Sequence, residues 1–199
     1  LDKHNMVDNV IFSPRANLRF NPTQNINLRL SYSSGFRAPQ AFDEDMHIEN
    51  VGGTVAMIER AKNLKEEKSQ SFSASADMYH RFGVFQTNFL IEGFYTRLTD
   101  VFVLGEPYDR GDGILVKTRS NGPGAKVMGL TLEGKVAYLS ILQIQAGLTL
   151  QRSRYDEPHK WHDDAPAEKK IFRTPDTYGY FTATCTPIKP LSIALSGTY

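Results

Sequence analysis

Six segments of this chain alternate apolar and polar residues with a period of two, and that rhythm limits the fold more than any other feature. Ala16, Leu18 and Phe20 alternate with Asn17 and Arg19. Ile26, Leu28, Leu30 and Tyr32 alternate with Asn27, Arg29, Ser31 and Ser33. Phe72, Ala74, Ala76 and Met78 alternate with Ser71, Ser73, Ser75 and Asp77, and Met128, Leu130, Leu132 and Val136 with Thr131, Glu133 and Lys135. Ile144, Ala146, Leu148 and Leu150 repeat the pattern against Gln143, Gln145, Thr149 and Gln151, as do Leu191, Ile193 and Leu195 against Ser192, Ala194 and Ser196. Successive side chains on a strand point to opposite faces, so each segment reads as a β-strand with one apolar and one polar face. Thr87–Leu104 and Tyr178–Thr186 add less regular strands, for about eight in all. Only residues 54–67 carry any helical signal.

The connections sort the strands into an order. Tight turns are predicted at Asn21–Asn25, Arg81–Val84, Leu139–Ser140 and Pro187–Pro190. Between them lie long links at 35–67, 105–113 and 156–174. Val116–Tyr138 reads as one long strand, with Gly122-Pro123-Gly124 marking a bulge or bend. Short and long connections alternate strictly. In an up-and-down antiparallel meander this puts tight turns at one end and long loops at the other, which is the layout of an outer-membrane barrel.

A soluble antiparallel sheet alternates too, and three details favour the membrane reading. Thr87–Leu104 and Val116–Tyr138 exceed the usual strand of about 5–6 residues. The polar face is rich in Ser, Thr, Gln and Asn, whereas the clean apolar stretches carry no charge. Phe12, Phe20, Tyr32, Phe82, Tyr138 and Tyr155 fall near strand ends, where interfacial aromatics gather. No run of about 18 apolar residues exists, which rules out a membrane-spanning helix and leaves a barrel open.

Composition excludes more than it assigns. With 23 basic and 22 acidic residues the net charge is +1, and no basic block points to a nucleic acid. The single cysteine, Cys185, permits no internal disulfide and lies on the apolar register with Phe181 and Ala183, as an inert packed thiol would. No nucleophile–base pair stands out, so no catalytic role and no cofactor is expected. The chain opens at Leu1 and stops at Tyr199 inside a strand pattern, and reads as a piece of something longer.

Candidate binding residues sit in the long links. Asp156-Glu-Pro-His-Lys-Trp-His-Asp-Asp164 holds His159 and His162, whose imidazoles suit iron or zinc, and Trp161, which suits covering a ligand. A solvated loop is the preferred reading, because no helix fixes the two histidines on one face. Tyr108 precedes, and Arg110 belongs to, the tight polar turn Asp109-Arg-Gly-Asp-Gly113, whose Arg-Gly-Asp triplet is explained by a loop apex. Asp43, Glu44, Asp45 and Glu49 match no calcium-binding spacing.

The stretch from Ser13 to Pro39 also carries a resemblance. Ser13-Pro-Arg-Ala-Asn-Leu-Arg-Phe20, a short turn, Asn27-Leu-Arg-Leu-Ser-Tyr32 and Gly35-Phe-Arg-Ala-Pro39 together resemble the C-terminal barrel of TonB-dependent outer-membrane receptors. Glu66-Glu-Lys-Ser69, Asp100-Val-Phe102, Asn121-Gly122 and Val127-Met-Gly-Leu-Thr-Leu-Glu133 follow in the family's order, with the spacing at Gly124 and Ala125 shifted. The resemblance implies that residues 1–199 are part of a transmembrane barrel of about 22 strands filled by a plug domain. It further implies a bacterial outer-membrane location and uptake of a scarce ligand, a ferric siderophore foremost, or haem or vitamin B12, energised by the TonB complex. On that reading Arg29, Arg37, Glu133 and Lys135 face the lumen or plug. Tyr108, Arg110, His159, Trp161 and His162 would meet the ligand from loops 40–66, 105–113 and 156–174. Gly35 would leave room for a close neighbour on the lumen face, and Pro39 would end strand pairing. The alternative is a soluble β-sheet module that binds a small apolar ligand or a protein. It requires Leu28, Leu30, Leu130 and Leu148 to face a packed core, with Asn27, Arg29 and Thr131 in water.

Overall fold

The computed structural model describes residues 11–39, 56–111, 115–159, 166–171 and 174–199. Among the described residues thirteen strands follow one another: β1 (Arg15–Thr23), β2 (Ile26–Arg37), β3 (Ala56–Arg60), β4 (Glu67–Phe82), β5 (Phe85–Thr99), β6 (Phe102–Leu104), β7 (Tyr108–Asp109), β8 (Leu115–Asn121), β9 (Ala125–Tyr138), β10 (Leu142–His159), β11 (Glu168–Lys170), β12 (Thr177–Ile188) and β13 (Leu191–Thr198). None of the described residues is helical. Eight of these strands form one sheet in the order β1-β2-β4-β5-β9-β10-β12-β13, with β11 paired to β10. The predicted meander of about eight strands is therefore present, open between β1 and β13. Its tight turns fall where the sequence places them, and Gly83 takes the left-handed conformation one of them requires (φ 56°).

Three expectations need correction. Ala56–Arg60, read as helical, is strand β3, pairing in parallel with Leu115–Arg119 of β8 residue for residue. So short a helix is marginal without tertiary support, and backbone pairing outcompetes it. Val116–Tyr138 is not one bulged strand. Gly122-Pro123-Gly124 separates β8, which lies in a second sheet with β3, β6 and β7, from β9 of the meander. Thr87–Leu104 is likewise divided, because Asp100 adopts φ 55° and ends β5 before β6 begins.

The chain divides into two compact units. The larger takes Arg15–Ser33, Ser71–Thr96 and Lys126–Tyr199; the smaller takes the described parts of Leu1–Pro14, Ser34–Gln70 and Arg97–Ala125.

In the larger unit, burial runs opposite to that of a soluble sheet. Leu30 is 55% exposed, Leu148 41% and Leu28 and Leu130 37% each, whereas Asn27 and Thr149 on the polar face are 6% exposed. The buried apolar residues among those described, Ala38, Val116 and Ala125, all belong to the smaller unit. Seven of the eight meander strands (β1, β2, β4, β5, β9, β10 and β12) have 9 to 18 residues. A tilted bilayer crossing needs about 9–11. On the covered face the Thr131 and Thr149 hydroxyls meet at 3.0 Å and Gln145 donates to the Tyr180 hydroxyl at 2.7 Å. Near the tight turns, the His80 and Phe82 rings meet at 3.9 Å, tilted by 48°, and Phe85 meets Tyr138 at 5.1 Å. Aromatic side chains with polar tips at strand ends fit a membrane–water boundary.

Candidate functional site

The smaller unit is built almost entirely from the two long connections that follow β2 and β5. Its sheet has β8 at the centre, with β3 parallel on one side and β6 and β7 antiparallel on the other. Tyr108 and Asp109 pair with Val116 and Leu115, so the sheet fixes the backbone that carries Tyr108. The Tyr108 ring stands 46% exposed. Arg110 follows at once, its Nη1 at 3.6 Å from Glu59 Oε1 of β3. Asp109 Oδ1 accepts the Gly111 N–H at 2.7 Å, which closes the turn. Of the predicted ligand residues, Tyr108 thus lies in this sheet and Arg110 directly past its β7 strand, where Glu59, which sequence reasoning missed, meets Arg110. No local pattern marks Glu59, because Ala56-Met57-Ile58 is apolar and Glu59-Arg60 charged, with no alternation between them.

The end of β2 enters this unit as well. A Cβ on Gly35 would lie 3.1 Å from Ser69 Oγ, so the glycine does make room for a close neighbour. Arg37 shares the face of Ser33 and Gly35, and its guanidinium lies 5.7 Å over the Phe102 ring. β2 ends at Arg37, and Pro39 follows with its carbonyl accepting from Arg60 Nη1 at 3.5 Å. At the start of β4, a backbone amide hydrogen bond, followed by the Lys68 ammonium 3.0 Å away, holds the Glu66 carboxyl below its ordinary value.

The other predicted positions lie in the larger unit or outside the described residues. Arg29 stands directly across from Arg19 of β1. The surrounding donors orient the Asn27 amide with its oxygen toward both guanidiniums, 3.2 Å from Arg29 Nη2 and 2.9 Å from Arg19 Nη2. Glu133 and Lys135 are half-buried on β9, two and four residues along from Thr131. His159 closes β10 and pairs through its backbone with Glu168 of β11. Trp161, His162 and the acids Asp43, Glu44, Asp45 and Glu49 lie outside the described residues. Beside β11, Asp176 accepts from Lys170 Nζ at 2.8 Å, with Arg154 Nη1 at 3.7 Å. The Lys170 bond and the nearby Arg154 and Arg152 charges hold the Asp176 carboxyl below its ordinary value. Cys185 is half-buried, paired with Leu142 and Ile193.

Among the described residues the arrangement offers a polar and aromatic surface. Among the described residues no group of three or more His, Cys, Asp or Glu side chains is placed to hold a metal ion.

Comparison with known proteins bears on this arrangement. The family model described as TonB dependent receptor-like, beta-barrel, matches residues 3–197. No curated protein matches the chain. Among solved structures, the siderophore receptor PirA from Pseudomonas aeruginosa is similar at a TM-score of 0.62 and 16% identity, over 94% of this chain and 34% of that one. The copper transporter OprC is similar at 0.59 and 13%, over 94% and 26%. The FrpB iron transporter from Neisseria meningitidis (F3-3 variant) is similar at 0.55 and 17%, over 87% and 26%. The chain spans about a quarter to a third of the length of these proteins.

Proposed function

Because this chain belongs to the TonB-dependent receptor-like β-barrel family, we propose that it forms part of the wall and outer loops of a receptor that imports a scarce ligand across a bacterial outer membrane, a ferric siderophore foremost. The inverted burial of the eight-stranded sheet carries this reading. Large apolar side chains such as Leu30 and Leu148 stand exposed while Asn27 and Thr149 are covered, an arrangement that lipid stabilises and water penalises. The soluble-module alternative required the opposite placement of Leu28, Leu30, Leu130 and Leu148.

In the proposed receptor the tight turns face the periplasm and the long connections face outward. The sheet carrying Tyr108, Arg110 and Glu59 is a surface for capture, with His159, Trp161 and His162 contributing from the third long connection. Arg29, Arg37, Glu133 and Lys135 line the lumen, against a plug domain of the same protein. The TonB complex supplies energy through a segment elsewhere in that protein. Similarity to a siderophore receptor and an iron transporter supports an iron ligand, and the copper transporter makes copper the control substrate. Haem and vitamin B12 rest on the resemblance alone.

The test is uptake by cells that carry the whole receptor, measured with radiolabelled ferric siderophores, haem, cobalamin and copper, with and without a functional TonB complex. TonB-dependent accumulation of a ferric siderophore is the expected result. Accumulation of none of the four overturns the reading.

A further inference from the structure

The two long connections that build the smaller unit are separate in sequence, and beyond the β3–β8 pairing one dipeptide ties them at a further point. β3 and β8 pair over five residues, from Ala56 with Leu115 to Arg60 with Arg119, and the Ala61 N–H extends the ladder to the Arg119 carbonyl at 2.8 Å. Past that point β8 approaches Pro123, which has no N–H to give. The side-chain amide of Asn121 takes over. Its Oδ1 accepts the Lys65 N–H at 2.8 Å, and its Nδ2 donates to the Lys65 carbonyl at 3.0 Å. An Asn side chain carries the same donor and acceptor as a peptide unit, so Asn121 pairs with Lys65 as a neighbouring strand would.

The same Nδ2 also donates to the Asp100 carbonyl at 2.8 Å, at the left-handed residue where β5 ends. Gly122 completes the junction. Its N–H donates to the Val101 carbonyl at 2.7 Å, and a Cβ in its place would lie 2.6 Å from Val103 Cγ1. Glu67 Oε2 accepts the adjacent Phe102 N–H at 3.0 Å. Asn121 thus ties segments 56 and 21 residues away in the chain to one point. Aspartate lacks the two donors, glutamine is a methylene too long, and any residue but glycine at position 122 meets Val103.

We propose that Asn121-Gly122 latches the two long connections into one preassembled body, so that a ligand is captured and admitted without β3 and β8 separating. This rests on the receptor reading above. Asn121 is accordingly a positioning residue for the surface that carries Tyr108, Arg110 and Glu59.

Two measurements on the whole receptor in lipid nanodiscs decide it. In hydrogen exchange, Asn121→Ala should speed exchange at Lys65, Phe102 and Gly122 together by about tenfold or more, the scale of one to three lost hydrogen bonds. Gly122→Ala should act in the same direction, and the β10–β12 pairing should stay protected. Loss confined to Lys65, or loss spread equally through β10 and β12, overturns the latch. In the second measurement, Ile58→Cys with Lys117→Cys, paired across β3 and β8, locks the two connections when oxidised. Uptake should be the same in the oxidised and reduced states. A loss on oxidation that a reductant restores overturns capture by a single body. Absence of uptake in the unlocked parent counts against the receptor reading, while the exchange experiment still decides the latch.

Discussion

The two units solve the same problem, pairing strands with few buried apolar residues, in opposite ways. The eight-stranded sheet repeats one device along its strands, an apolar face alternating with a polar one. Between the edge strands β1 and β13, exposed throughout, it covers polar residues such as Asn27 and Thr149 while leaving Leu30 and Leu148 exposed. The smaller unit has no such repeat. Its short strands are held by individual contacts: Asn121 on Lys65 and Asp100, Glu67 on the Phe102 amide, Arg37 over Phe102, and the buried Val116. A repeated pattern tolerates the loss of most single residues but not a charge on its apolar face. A structure held by single contacts fails at the contact.

A charge on the exposed apolar face should have the largest effect. Leu148→Arg is expected to cost about 2–4 kcal/mol if that face meets lipid near the midplane. The polar-register change Gln143→Arg should stay within about 0.5 kcal/mol. Urea unfolding of the receptor from lipid vesicles measures both. Equal, small effects would mean that Leu148, already 41% exposed, faces water, and the contrast between the two units would collapse.

A packing change on the covered face comes next. Gly147 pairs directly with Tyr180, whose ring lies where a Cβ on Gly147 would fall, with Cδ1 at 3.0 Å. Gly147→Ala should push the ring aside and break the bond from Gln145, costing about 1–3 kcal/mol. The same unfolding experiment reads it. A neutral result would show that the covered face is not closely packed at this point.

The smallest effect is predicted at β11, where exposed charges make the contacts. A carboxyl held below its ordinary value stabilises the fold fully above the unfolded value of 3.8 and loses that contribution as pH falls through the lower folded value. Acidification through that window should lower the protection factor at Ile171, whose N–H bonds the Ser153 carbonyl, taken against the intrinsic exchange rate at each pH. Asp176→Asn should produce a few-fold acceleration at neutral pH and remove the acid response. Solvent screening keeps this effect small.

How much could be read from the sequence follows the same division. The eight strands, their order and their tight turns were legible because a period of two records, at every residue, which face is apolar. The Gly35 contact was legible as well, since a glycine on the polar register leaves space that a side chain would crowd against Ser69 Oγ. The placement of Arg110 beside Glu59, and of Asn121 beside Lys65, was not. These contacts join residues tens of positions apart through short strands, and no local pattern encodes the partner. Asn121-Gly122 was visible only as a motif, without its mates.

The sequence by itself thus determined the meander, because alternation is a local property summed over many residues. Only the tertiary structure decided which alternating face was covered, that Ala56–Arg60 is a strand, and that two long connections form one sheet. The physical reason is that a parallel pair such as β3 and β8 exists only after the intervening chain has brought the two strands together. Its hydrogen bonds leave no periodic trace in either segment alone.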